Sequence, residues 1–129
     1  MGTHVYRLIR TSWGIWIRLT ARVSPGEHPD AIVVSPGHPV RLAFEGPAAQ
    51  HCAEDREELA RGLAVVAPAI PGPVTVTVSE ILYSLCDFQP DGLPVAMCRW
   101  AEAEFGLPPR VIGESYDREA KRYVFDWHN

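Results

Sequence analysis

The sequence predicts an α+β fold: a mainly antiparallel sheet with two helices on one face, in the order β-β-β-β-α-β-α-β-β. Three observations carry that expectation. The segment WGIWIRLTARV (13–23) alternates apolar and polar residues with a period of two, as a half-buried strand does. Two later stretches, 48–67 and 91–106, repeat their apolar residues at helical intervals. Both come after four strand-like segments instead of alternating with them from the start, which points away from a doubly wound parallel sheet. At 129 residues the chain is expected to form a single domain, 1–129, that buries one core without metals or cross-links.

The elements follow in order. HVYRLIR (4–10) has strand composition and ends at a turn, Thr11-Ser12. In 13–23, Trp13, Ile15, Ile17, Leu19, Ala21 and Val23 share one face, and Gly14, Trp16, Arg18, Thr20 and Arg22 share the other. SPGEHPD (24–30) and SPGHPV (35–40) are two Pro-Gly turns around the short strand AIVVS, because Pro presets φ and Gly accepts positive φ. VRLAFE (40–45) places Val40, Leu42 and Phe44 on one side and ends at Gly46-Pro47. In the first helix Cys52, Leu59, Leu63 and Val66 form the apolar stripe. Glu54, Asp55, Glu57 and Glu58 crowd its first half, where they complement the helix dipole, and Pro68 stops it. Gly62 costs about 1 kcal/mol relative to Ala in a helix, so it predicts close packing, expected against the sheet.

The stretch PVTVTVSEILYSLCDF (73–88) changes phase. Val74, Val76 and Val78 face one way, but after Glu80 the apolar positions become Ile81, Tyr83 and Leu85. A one-residue slip sends every later side chain to the other face, so a bulge or bend near Ser79-Glu80 is expected, with a structural role. Asp91-Gly92 opens the second helix, with Asp91 as its cap and Leu93, Met97, Trp100, Ala101 and Phe105 as its stripe. RVIGESY (110–116), the turn DREAK (117–121) and RYVFDWH (122–128) form a closing hairpin in which Tyr123, Phe125 and Trp127 share a face.

Charge and cysteine usage exclude several classes. Residues 1–45 carry a balance of +2 and residues 46–129 a balance of −6, so the chain is not a generic nucleic-acid binder with a strongly basic surface. No apolar run reaches the roughly 18 residues of a membrane span, and MGTHVYRLIR has charges where a signal peptide is apolar; the expected location is the cytoplasm. Three cysteines, Cys52, Cys86 and Cys98, lack Cys-x-x-Cys spacing and read as buried free thiols.

Candidates for chemistry are few. His28 and His38 lie near two turns without a third ligand at metal-binding spacing, so neither a metal nor a cofactor is expected. His51-Cys52 near a helix start offers a thiol, but neighbours on a helix diverge by roughly 100°, and the expected catalytic set is empty. Glu57-Glu58 and Glu102 with Glu104 read as solvated helix surface. The candidate site is instead the polar face of 13–23, where Trp16, Arg18 and Arg22, joined by Arg41 from a neighbouring strand, set an aromatic platform beside planar cations. It predicts a non-catalytic binding or regulatory protein, such as an adaptor or toxin-neutralising protein, with the overall acidity suited to a basic protein partner. The same residues could stack single-stranded RNA, and a cysteine-dependent enzyme using Cys52 or Cys86 is the remaining class.

From Val40 to Phe105 the sequence resembles domain IV of elongation factor G, whose fold is shared with the C-terminal half of a small-subunit ribosomal protein. The similar parts are the strand VRLAFE, the helix EELARGLA with its late glycine, the turn and strand PVTVTV, and a second helix after a short link. The link LCDFQPDG departs from that domain in lacking its His-Pro and Asp-Ser-Ser wording. The resemblance implies association with RNA or the ribosome and assigns no functional residue.

Overall fold

The computed structural model describes residues 2–9, 14–84 and 88–127. Its strands are β1 (Gly2–Ile9), β2 (Gly14–Pro25), β3 (Ile32–Val33), β4 (Val40–Phe44), β5 (Val74–Tyr83), β6 (Ile112–Asp117) and β7 (Arg122–Trp127). Helix α1 (Ala53–Val66) lies between β4 and β5, and α2 (Gly92–Phe105) between β5 and β6, as the sequence predicts. The Thr11-Ser12 turn, Trp13, Leu85, Cys86 and His128 lie outside the described residues.

Strands β1 to β5 form one sheet in the spatial order β1-β2-β5-β4-β3. Only β4 and β5 pair in parallel, joined through α1; the other neighbours in this sheet are antiparallel. Strands β6 and β7 make a separate two-stranded ribbon. The two edges differ in length, β1 having eight residues and β3 two. β3 is shorter than the AIVVS run because turns closed by Ala31 N–H to His28 O and His38 N–H to Ser35 O bracket it.

The period-two pattern of β2 sorts its side chains as expected. Ile15, Ile17, Leu19 and Ala21 are buried on the inner face, while Trp16, Arg18, Thr20 and Arg22 stay partly exposed on the outer one. Each buried Leu or Ile of the inner face contributes roughly 1.5–3 kcal/mol, so this alternation is strongly enforced. Both helices cover the inner face. A Cβ on Gly92 of α2 would meet Ile15 and Ile17 side chains at 3.1 and 3.2 Å, and Trp100 Nε1 donates to the Gly2 carbonyl at 3.0 Å. The Arg56 guanidinium of α1 lies 5.8 Å from the Phe44 ring centroid. The β6–β7 ribbon docks on the same side: the inward Tyr6 hydroxyl donates to Glu114, and Gln89 exchanges two 2.7 Å hydrogen bonds with the Tyr123 backbone.

Helix α1 begins later than its apolar stripe predicts. Gly46–Gln50 forms a separate 3-10 turn with Pro47 at its start, and His51 and Cys52 are extended at ψ 157° and 149°. Cys52 therefore precedes the helix and is exposed, which corrects its placement on the stripe. Leu59, Leu63 and Val66 are buried as predicted, joined by Asp55. Asp91 does precede α2, but its carboxylate takes Gln89 Nε2 and Arg122 and does not cap the helix. Glu102 is also corrected: it is buried, accepting from Arg99 at 2.8 Å and from the Arg110 N–H at 2.5 Å, because the chain after α2 folds back over it.

The phase change in β5 is a β-bulge. Thr20 faces Glu80 and Ala21 faces Val78, leaving Ser79 unmatched. The Ser79 hydroxyl donates to Thr20 O at 3.3 Å. Val76 and Val78 point inward before the bulge, and by register with Leu19 and Ile17 so do Ile81 and Tyr83 after it. Glu80 and Leu82 accordingly share the outer face with Thr20 and Arg18.

Gly62 packs against α2, not the sheet. A Cβ there would lie 2.2 Å from Pro94 O and 2.6 Å from Pro94 Cα, both backbone atoms. Gly62→Ala gains about 1 kcal/mol of helix propensity but overpacks the helix contact at a cost toward the upper end of about 1–3 kcal/mol, so a net loss of up to about 2 kcal/mol is expected. Urea denaturation should show a lower midpoint at unchanged m-value; a higher midpoint would contradict this packing.

Candidate functional site

The structure brings Trp16, Arg18 and Arg22 onto the outer face of β2, but Arg41, on the same face of β4, is not on a neighbouring strand as expected: β5 lies between, and Arg41 stands level with Ser24 through Thr75, away from Trp16. Among the described residues both α-helices and the β6–β7 ribbon pack on the other side of the sheet, whereas the loop after β2 covers the far end of this face, where buried Thr75 accepts from the His28 N–H and donates to the Gly26 carbonyl. Trp16 is half-buried, with Arg7 opposite it on β1. One register step away Val5, Arg18 and Leu82 form a row across three strands, and Val5 and Leu82 are 43% and 41% exposed. Ile9, at 56%, extends the apolar area along β1.

The guanidiniums are not free cations. Arg18 holds Glu80 through two hydrogen bonds, Nε to Oε1 at 2.9 Å and Nη2 to Oε2 at 3.2 Å, and Thr20 Oγ1 donates to the same carboxylate. Arg22 donates to Glu45 at 2.8 Å, and Arg41 to Glu27 at 3.4 Å and to the carbonyls of His28 and Ala31. The hydrogen bond from Arg18 holds the Glu80 carboxyl below its usual range, and that from Arg22 does the same for Glu45. Such solvent-screened pairs fix side-chain geometry but add little stability. They convert an expected cationic face into a locally neutral one. Arg22 also lines an open groove of about 490 Å³ at the β4 end, shared with Thr77, Glu45 and Arg56.

A second group, which the sequence did not reveal, stands at the start of α1. His51 Nε2 lies 2.6 Å from Asp55 Oδ2, the Tyr83 hydroxyl donates to the same oxygen at 2.7 Å, and Tyr83 Oη is 3.3 Å from His51 Nε2. Cys52 completes the cluster: one donor atom each from His51, Cys52 and Asp55 lies within 4.8 Å of the others. Asp55 is buried, His51 half-buried and Cys52 exposed, so the group opens to solvent at the thiol. The ring of Phe88 stacks on Tyr83 at 3.6 Å. Burial, then the Asp55 carboxylate, raises the Tyr83 phenol above its ordinary pKa, keeping it a hydrogen-bond donor. The 100° divergence expected for His51 and Cys52 does not apply, since both precede the helix in extended backbone.

Sequence signals for this cluster existed in pieces. Asp55 is four residues beyond His51, one helical turn if the helix is entered between them. The β5 phase change is what directs Tyr83 inward. By contrast, His28 and His38 are not brought together into a ligand set: His28 Nε2 pairs with Ser24 Oγ and His38 Nδ1 with Ser35 Oγ, each within its own turn.

Among the described residues no helix is long and apolar enough to cross a membrane. No protein-family model matches the chain, and a search of curated proteins likewise finds no match.

Cys98 is a packing residue in α2, fully buried, and burial followed by the Glu102 carboxylate pushes its thiol up to about 11. Alkylation of Cys86→Ser protein at about pH 8 should therefore modify Cys52 readily and leave Cys98 protected until the fold opens, because the thiolate is the reactive form. Mass spectrometry of timed samples checks this; equal rates at the two positions would contradict the burial of Cys98.

Proposed function

We propose that the protein is a non-catalytic recognition module that binds a protein partner through the outer face of its sheet, with Trp16 as the anchor. The carrying observation is an outer-face patch across β1, β2 and β5 in which a half-buried Trp16 is flanked by exposed Val5, Ile9 and Leu82. An aromatic held in place by its surroundings loses little conformational freedom on docking, and Trp and Arg dominate interaction hot spots. Arg18, held flat by Glu80, adds its apolar stem and a planar face beside the indole.

The pairing of Arg18, Arg22 and Arg41 with carboxylates favours a protein over RNA. A phosphate backbone is bound chiefly by cations that release counterions, and these guanidiniums are largely neutralised in place. The net charge of −4 favours encounter with a basic partner, while the apolar atoms around Trp16 make the contact. RNA, the occupant implied by the resemblance to a translation-factor domain, is the competing outcome of the test.

Affinity capture with the wild-type protein should recover a stoichiometric protein partner. Trp16→Ala combined with Leu82→Ala should weaken that complex by about 2 kcal/mol or more, roughly thirtyfold, while Val111→Ser, exposed but away from this face, leaves it intact. Circular dichroism establishes that the double variant is folded. Undiminished capture by the double variant, no stoichiometric protein, or recovery of RNA lost at moderate salt would each overturn the proposal.

A further inference from the structure

The cluster at the start of α1 plays no part in the sheet-face reading, and its chemistry is different. We infer that His51, Cys52 and Asp55 form a binding site for a zinc-class divalent metal ion, with Tyr83 as the positioning residue.

The donor set is the first argument. An imidazole nitrogen, a thiol sulfur and a carboxylate oxygen are the three ligand types of protein zinc sites, and together they are too soft for calcium or magnesium. Convergence is the second, since the three donor atoms already lie within 4.8 Å of one another. Four-coordinate zinc with ligands at about 2.0–2.3 Å separates neighbouring donors by about 3.3–3.7 Å. The 2.6 Å contact between His51 Nε2 and Asp55 Oδ2 needs to widen by less than about 1 Å to admit the ion, within reach of side-chain rotation.

The support around the donors is the third argument. Metal-binding carboxylates are commonly held by an outer hydrogen bond, and the Tyr83 hydroxyl supplies one to Asp55 at 2.7 Å. Stacking on Phe88 fixes the phenol ring, and the bulge at Ser79 fixes the direction from which it approaches. Fixing a helix start requires neither an adjacent thiol nor a buried carboxylate pinned from a neighbouring strand. Three protein donors leave a fourth position, and because Cys52 is exposed that position faces solvent. This is the pattern of an exchangeable site open to water or a small ligand, and not that of a closed structural one.

Cobalt(II) reports the site directly, because a bound thiolate gives a charge-transfer band and a four-coordinate ion gives intense visible bands. Titration of the full chain, freed of metal by chelation, should yield a one-to-one complex with both features, discharged by zinc. Cys52→Ser should abolish the charge-transfer band, whereas Cys86→Ser and Cys98→Ser retain it. Tyr83→Phe should lower affinity by about 10- to 100-fold with the band position kept, as loss of an outer hydrogen bond does. Since Cys52 is exposed, its replacement leaves the fold intact by circular dichroism and decides the matter without the buried Asp55. Absence of the band in wild type, or its survival in Cys52→Ser, overturns the inference.

Discussion

One unmatched residue, Ser79, organises both faces of the sheet. Upstream of it β5 sends Val76 and Val78 into the core; downstream the same strand sends Ile81 and Tyr83 there. If the strand ran on through Ser79 without the bulge, strict alternation would point Tyr83 away from the helices and drive Glu80 into the apolar layer. With it, Tyr83 reaches Asp55 at the start of α1, and Glu80 emerges opposite Thr20 to take the Arg18 guanidinium. A single backbone irregularity thus sets the inner polar cluster and neutralises the outer face, through side-chain alternation alone.

The fold was legible because its strongest signals are local and repetitive. The alternation in 13–23, the Pro-Gly turns and the apolar stripes of both helices each reflect one surface facing one core, and the element order follows from them. The phase change at 79–80 was legible for the same reason, as a break in a pattern. The start of α1 was not, because the apolar content of Ala48 and Cys52 continues the helical stripe backwards through a 3-10 turn that only backbone geometry separates from it. Glu102 was misread because the residues that bury it, Arg99 and Arg110, look like ordinary solvated charges until the chain beyond α2 returns across the helix.

The candidate sites divide along the same line. Trp16, Arg18 and Arg22 could be placed on one face from period two alone, whereas the adjacency expected of Arg41 fails because β5 inserts between β2 and β4. The partners of the arginines could not be placed, since Glu80, Glu45 and Glu27 are 62, 23 and 14 residues away from the cations they neutralise. His51 and Cys52 are adjacent in sequence yet expected to diverge on a helix, Asp55 is expected among the helix-surface acids, and Tyr83 joins them from 28 residues beyond Asp55. Charge on a surface is therefore a property of the pairing, and residue types alone misjudge it.

The unequal rims of the main sheet bear on how the protein behaves in crowded solution. On one side β3 offers two residues between turns, too little backbone to recruit another strand. On the other, β1 presents an unbroken eight-residue ladder with Val5 and Ile9 turned outward, beside the very surface assigned to docking. Among the described residues that flank is the longer edge open to a foreign strand, so a partner docked on the proposed Trp16 face would also shield it from self-association.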